Sequence, residues 1–363
     1  MTATQIYDEL TDGGARHLRL EELVYAGVPN LPTREQMEAE RARPLAEKEG
    51  LELAQGDFIA AVLADPRTGT HLLKSMLRPT EEALERVDEF RSRGEVDLGP
   101  AYVRREGRAG ILELRNPGHL NAEDGATLGP TEVAVDLLLL HPEIEVALFR
   151  GGVVDHPRYP GERIFGAGIN LTHLYEGRID FLFYLVRDLG YVNKIYRGLF
   201  PDTEKLWVAA VERYAIGGAC QLLHVMDHVI AARGARLYLP ARREGIIPGA
   251  SNLRLPRFVG DRAARQAILS GREWVAGEPD TELLVDETVE PGEVDDAIAA
   301  RIELLTSSGL INAAANRRAI RVGQEPLDLY RQYMSTYAAE QARCHLSPAL
   351  VANLEQHWNA RRG

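Results

Sequence analysis

The spacing of apolar residues divides the chain into three stretches. From residue 1 to about 98 the pattern is helical and highly charged. Runs of Glu, Arg and Ala over residues 32–53 predict helix. Pro79-Thr80-Glu81-Glu82 opens a second predicted helix over 79–93, with proline where a helix has no N–H bond to lose. Leu72, Leu73, Met76 and Leu77 recur at helical spacing and predict a packing face. From about 100 to 270 the apolar runs shorten. Tyr102-Val103-Arg104-Arg105 and Ala109-Gly110-Ile111-Leu112-Glu113-Leu114 read as a hairpin around Glu106-Gly107. A helix (131–140), a buried strand (146–150), a helix (181–197) and a strand (206–210) follow; then come a Gly-rich turn, a helix (221–228) and a strand (235–239). Strand and helix alternate, and a strand–turn–helix unit occurs at least twice, which predicts an α/β fold with parallel pairing. Beyond about 270 strand character fades, and 294–306, 310–320 and 326–346 predict successive helices suited to assembly or to covering a site. Three segments result: 1–98 helical, 99–270 the α/β core, 271–363 helical.

The 363 residues are 45% hydrophobic and 26% charged, which is ordinary globular composition. A formal net charge of −12 argues against nucleic acid or an anionic membrane as the main partner. The N-terminal Met1-Thr2-Ala3-Thr4-Gln5-Ile6 shows no basic region ahead of an apolar run, and no stretch approaches the ~20 apolar residues of a membrane span. Two cysteines, Cys220 and Cys344, are too few for a disulfide framework. A reduced, cytoplasmic protein is the expectation.

Three landmarks carry chemistry. Residues 207–221 (Trp207 to Gln221) are an apolar strand running into Gly217-Gly218, which opens a helix. Upstream stands Phe165-Gly166-Ala167-Gly168-Ile169-Asn170-Leu171, and downstream Glu244-Gly245-Ile246-Ile247-Pro248-Gly249-Ala250. In this order and spacing they resemble the crotonase (enoyl-CoA hydratase/isomerase) superfamily, over roughly residues 100–270. The resemblance implies a spiral of repeated ββα units and a coenzyme A thioester as substrate. It assigns the amides of Ile169 and Gly218 as an oxyanion hole for a thioester enolate. Gly-rich turns suit that role because backbone N–H groups can approach closely and are already oriented. Hydratases of the superfamily place one catalytic Glu three residues after the oxyanion-hole glycine and another four before the Gly of the third landmark. Here those positions hold Gln221 and Ala241, so hydration of an enoyl-CoA is not expected.

Asn121-Ala122-Glu123-Asp124, His156-Pro157-Arg158-Tyr159, Asp188-Leu189-Gly190-Tyr191 and Asn316-Arg317-Arg318 are similar to the branch of cofactor-independent (3,5-dihydroxyphenyl)acetyl-CoA 1,2-dioxygenases. That similarity implies oxidation of a hydroxylated arylacetyl-CoA by O2 in antibiotic biosynthesis, with no metal or organic cofactor. Glu123, Arg187, Gln221 and Gln341 match residues on the substrate side. His156, Arg158, Tyr159, Ala167, Gly168, Asn170, Leu171 and Gly217 are expected around coenzyme A, with Arg158 placed to pair with a phosphate. A homotrimer or dimer of trimers is expected by analogy. Two other readings stay open: a hydrolase, isomerase or decarboxylase that uses no O2, and a non-catalytic acyl-CoA-binding subunit. The His224/His228 pair, four apart with Asp227 between, reads as packed or solvated histidine; a zinc site is the weaker alternative.

Overall fold

A computed structural model describes residues 1–358. Its ten strands are β1 (Glu95–Asp97), β2 (Ala101–Glu106), β3 (Ala109–Leu114), β4 (Val146–Gly151), β5 (Leu206–Val211), β6 (Tyr214–Ile216), β7 (His228–Ala232), β8 (Arg236–Tyr238), β9 (Glu273–Val275) and β10 (Glu287–Val289). Seven form one sheet in the order β1-β2-β3-β4-β5-β7-β10, and three form a second in the order β6-β8-β9. β1, β2 and β3 pair antiparallel, whereas β3, β4, β5, β7 and β10 run parallel. Two strands and a helix repeat along the chain: β2, β3 and helix Gly125–Leu140; β5, β6 and helix Gly218–Leu223; β7, β8 and helices Ala241–Glu244 and Ser251–Ser270. In the last two units the first strand joins the large sheet and the second the small one. This is the ββα spiral that the resemblance implies.

β5 shows why the centre is parallel and buried. Its side chains alternate between faces. Trp207, Ala209 and Val211 enter the core under helix Gly125–Leu140, and Leu206, Val208 and Ala210 enter the core under helix Val294–Thr306. A strand covered on both faces is apolar throughout, as this one is.

The N-terminal and C-terminal helices pack against each other across more than 250 residues of sequence. Helix Glu52–Ala64 lies on helix Leu327–His345, and a Cβ added at Gly56 would stand 2.5 Å from the Ala342 Cβ. The Arg331 guanidinium donates to the Leu63 and Ala64 carbonyls at 2.5 and 2.7 Å, satisfying acceptors that the helix end leaves open. Helix Leu310–Gln324 is tied to the core by Arg317, which bonds Asp227 (2.7 Å), Glu204 (3.0 Å) and the Ile195 carbonyl (2.8 Å). Gly56→Leu is therefore expected to lower the unfolding free energy by roughly 1–3 kcal/mol through overpacking, measurable by urea titration.

The structure departs from several sequence expectations. Residues 32–53 are not one helical run: helix Arg34–Arg41 stops short of Pro44, and the next helix begins at Glu52 after Gly50, whose φ is +87°. Residues 181–197 form two helices, Phe181–Leu189 and Tyr191–Arg197, because Gly190 (φ −87°, ψ −117°) leaves helical geometry. The helix expected over 221–228 runs Gly218–Leu223 instead, and His228 begins β7. The region after 270 contains β9 and β10, and β1 lies before residue 98. Each of these three strands has only three residues, too few to show a period of two.

Candidate active site

The two glycine turns meet at the end of the small sheet. β6 runs into Gly217 (φ +53°), from which helix Gly218–Leu223 starts. Gly168 (φ +81°) lies against that turn: a Cβ there would stand 2.9 Å from the Ile216 carbonyl oxygen and 3.3 Å from the Gly218 nitrogen. Only glycine permits this approach. The Gly168–Asn170 segment is held on Glu123, whose N–H donates to the Gly168 carbonyl (2.6 Å) and whose carbonyl accepts from Asn170 (2.8 Å). In this bridge the N–H of Ile169 itself points away from Glu123. Among the described residues, neither the Ile169 nor the Gly218 N–H has an acceptor. Two backbone donors are thus left free beside each other, in a fold where nearly every buried N–H is used.

Arg187 fixes this arrangement from beneath. It is buried, on helix Phe181–Leu189, and all five of its N–H groups are engaged. It grips both oxygens of the Glu123 carboxylate and donates to the Gly218 carbonyl (2.7 Å), the Gln221 Oε1 (3.1 Å) and Asp188 (3.1 Å). The Tyr191 hydroxyl also donates to Glu123 (2.9 Å). Burial holds the Tyr191 phenol far above its ordinary value, so it stays a donor. Glu123 therefore does not cap the following helix; Asp124 does, accepting from the Ala126 and Thr127 N–H groups. With its carbonyl oxygen on Arg187, Gln221 keeps its amide NH2 free of protein acceptors among the described residues.

These groups line a cavity together with Glu244, Gly249 and Tyr337. Its volume of about 30 Å³ admits water-sized molecules but no aryl ring. The covering elements are the 244–250 loop and helix Leu327–His345, which supplies Tyr337. Burial pushes the Asp188 carboxyl above its usual range, against the pull of Arg187 and Arg254. Burial alone pushes the Glu244 carboxyl up to about 7.

The enoyl-CoA hydratase/isomerase family model matches residues 159–341. The (3,5-dihydroxyphenyl)acetyl-CoA 1,2-dioxygenase of Amycolatopsis orientalis is 49% identical over 352 residues, covering 94% of this chain and 80% of that protein. The chain belongs to the enoyl-CoA hydratase/isomerase family. The short-chain-enoyl-CoA hydratase of Clostridium acetobutylicum is 27% identical over 63% of this chain and 84% of its own length. A solved enoyl-CoA hydratase/isomerase from Xanthobacter autotrophicus Py2 superposes with a TM-score of 0.61 at 21% identity, covering 73% of this chain and 96% of that one. That likeness establishes the crotonase fold.

Against this family frame, the residues singled out in the sequence fall into two groups. Glu123, Ile169, Arg187, Gly217, Gly218 and Gln221 converge on the cavity. His156, Arg158, Tyr159, Ala167, Gly168, Asn170, Leu171 and Gln341 do not line it. His156 stacks on Tyr159 (5.5 Å between centroids), and the Arg213 guanidinium covers Tyr159 at 4.7 Å, on an outer loop where Arg158 is exposed. Asn170 caps helix Leu171–Tyr175 and bonds Asp124 (3.1 Å). Gln341 is fully buried and accepts the Ile247 N–H (2.9 Å), pinning the covering loop.

Sequence reasoning missed Asp188, Tyr191, Glu244 and Tyr337 as cavity neighbours. Glu244 lies within the third landmark, three residues after position 241, where family hydratases carry their carboxylate. His224 and His228 do not converge: His224 bonds Ser251 (3.1 Å), while His228 faces Asp286 and Glu287. Burial pushes the Cys220 thiol up to about 12, which removes its nucleophilic form at neutral pH. Iodoacetamide at pH 8 is expected to modify Cys220 only after unfolding, as read by peptide mass spectrometry.

Proposed function

We propose that this enzyme is a cofactor- and metal-independent dioxygenase that converts a hydroxylated arylacetyl-CoA, such as 3,5-dihydroxyphenylacetyl-CoA, and O2 into an arylglyoxylate and free coenzyme A. The observation that carries the reading is the pair of unpartnered amides, Ile169 and Gly218, facing a cavity that holds no hydratase carboxylate at 221 or 241. The 49% identity to a protein named as such a dioxygenase supports it.

In this reading the thioester oxygen accepts hydrogen bonds from the Ile169 and Gly218 N–H groups. They gain strength as negative charge develops, because they are already oriented and shielded from bulk water. Loss of an α-proton gives an enolate, and this electron-rich carbon reduces O2 directly to form a C–O bond. The resulting peroxide attacks the thioester carbon, expels the thiolate, and breaks its O–O bond with loss of the second α-hydrogen. Both oxygen atoms enter the product, and one of the two α-hydrogens ends on the coenzyme A thiol. Gln221 offers its free amide NH2 to a ring hydroxyl. Glu123 and Arg187 have their hydrogen-bonding capacity taken up by each other and by Gly218 and Gln221, so they act as positioning residues. Gln341 serves the substrate side through the 246–250 loop it holds.

Coenzyme A lies along the backbone of Ala167, Gly168, Asn170, Leu171 and Gly217 and reaches the outer loop of His156, Arg158 and Tyr159. Arg158 has no ion pair among the described residues and suits a phosphate. Arg158→Ala is expected to raise KM for the thioester by about fivefold with kcat unchanged, since an exposed pair contributes about 1 kcal/mol to binding. The setting is cytoplasmic antibiotic biosynthesis. The exposed Ile311, Ile320 and Val322 on helix Leu310–Gln324 support association into a trimer or dimer of trimers. Turnover of 3,5-dihydroxyphenylacetyl-CoA under 18O2 tests the chemistry: two labelled atoms in the arylglyoxylate are expected, and product carrying none from O2 would refute it.

A further inference from the structure

Three carboxylates line the cavity: Glu123, Asp188 and Glu244. Two are hydrogen-bonded by the same cation. Glu123 gives both oxygens to Arg187 and Tyr191, and Asp188 accepts from Arg187. Glu244 differs. It sits at the end of helix Ala241–Glu244, 4% exposed, with no hydrogen bond or ion pair to its side chain among the described residues. A Cβ built on Gly217 would touch its Oε1 at 3.7 Å. The free carboxyl therefore stands over the peptide that presents the Gly218 N–H. The groups facing it from neighbouring elements are phenols: Tyr184 of helix Phe181–Leu189 and Tyr238 of β8. Arg242 and Arg243, on its own helix, are exposed and border a separate surface cleft with Asn353 and His357. Among the described residues no cation compensates it, and burial is the sole cause of its raised proton affinity. An unpaired buried carboxyl of this kind is costly to keep and is a signature of acid–base function.

We propose that Glu244 is the general base that removes the α-proton from the bound thioester, an assignment that rests on the dioxygenase reading for its substrate. The C–H bond breaks, an O–H bond forms on the Glu244 carboxylate, and the electron pair moves through the α-carbon to the thioester oxygen on Ile169 and Gly218. The proton held by Glu244 is then available to the departing thiolate. The carboxylate is the active form, so the rate rises with pH through about 7 and then levels. The sign for stability is opposite. A folded pKa raised above the usual carboxyl value contributes stability below that usual value, and the contribution is lost as pH rises through about 7. Glu244→Gln is therefore expected to unfold at no lower temperature than wild type at pH 8.

The test is exchange of the α-hydrogens of 3,5-dihydroxyphenylacetyl-CoA with D2O under nitrogen, followed by mass spectrometry beside oxygen uptake in air. Glu244→Gln is expected to slow exchange by about 10²-fold or more with thioester Kd unchanged, and Glu244→Asp to restore part of the rate. Exchange at the wild-type rate in Glu244→Gln overturns the assignment while leaving the dioxygenase reading intact. Exchange that depends on Glu244 without any oxygen uptake supports the base and overturns the dioxygenase; a wild type showing neither overturns both. Should Glu244→Gln not fold, a wild-type exchange rate that is flat from about pH 5 to about pH 9 overturns the assignment.

Discussion

Arg187→Ala is expected to lose nearly all turnover and to destabilise the protein by about 3–5 kcal/mol, because it strips the counter-charge from a buried carboxylate. Both Glu123 oxygens face Arg187, and the pair is almost wholly out of water, so deleting the guanidinium leaves Glu123 charged and largely unsolvated. The same deletion frees the Gly218 carbonyl and the Gln221 side chain, both of which Arg187 holds in place. Stability and catalysis thus fall together, and a double-mutant cycle with Glu123→Gln separates them. In Arg187→Ala/Glu123→Gln the unpaired charge is gone, so much of the stability is expected to return while turnover does not. Arg187→Lys is expected to rescue neither, since an ammonium has three donors where five are engaged. Urea denaturation alongside steady-state kinetics reads both effects.

Ile169→Pro is expected to lower kcat/KM by about 10²–10³-fold, the usual cost of one oxyanion donor. The bridge to Glu123 uses the Gly168 carbonyl and the Asn170 N–H, so removing the Ile169 N–H breaks no hydrogen bond of the fold. Ile169→Ala keeps the amide and loses only side-chain packing, and it is expected to stay within about tenfold of wild type if the backbone donor is what matters. Equal losses in the two variants would move the effect from the amide to the side chain.

How far the sequence reached depended on the range of the interactions involved. The alternation of strand and helix over 100–270 revealed the α/β core, because the longer strands and helices there show their own period. Gly168 and Gly217 were legible as a pair because their positive φ values and close approach favour glycine, and such constraints leave a mark in sequence. The contact between helices Glu52–Ala64 and Leu327–His345 left no such mark: each helix carries an apolar face, and nothing local states which face it will meet. Arg187 read as a residue on the substrate side, and only the fold shows that its partners come from residues 123, 188, 218 and 221 at once. Glu244 was hidden for a similar reason. Its meaning lies in the absence of a partner, and an absence is visible only once every neighbour has been placed.

The most direct measurement is dioxygen uptake by metal-stripped enzyme supplied with 3,5-dihydroxyphenylacetyl-CoA, with free thiol followed in the same vessel. Oxygen consumed in equal amount to coenzyme A released is the expected result. Thiol release without oxygen uptake would contradict the account and leave a thioester hydrolase on the same fold.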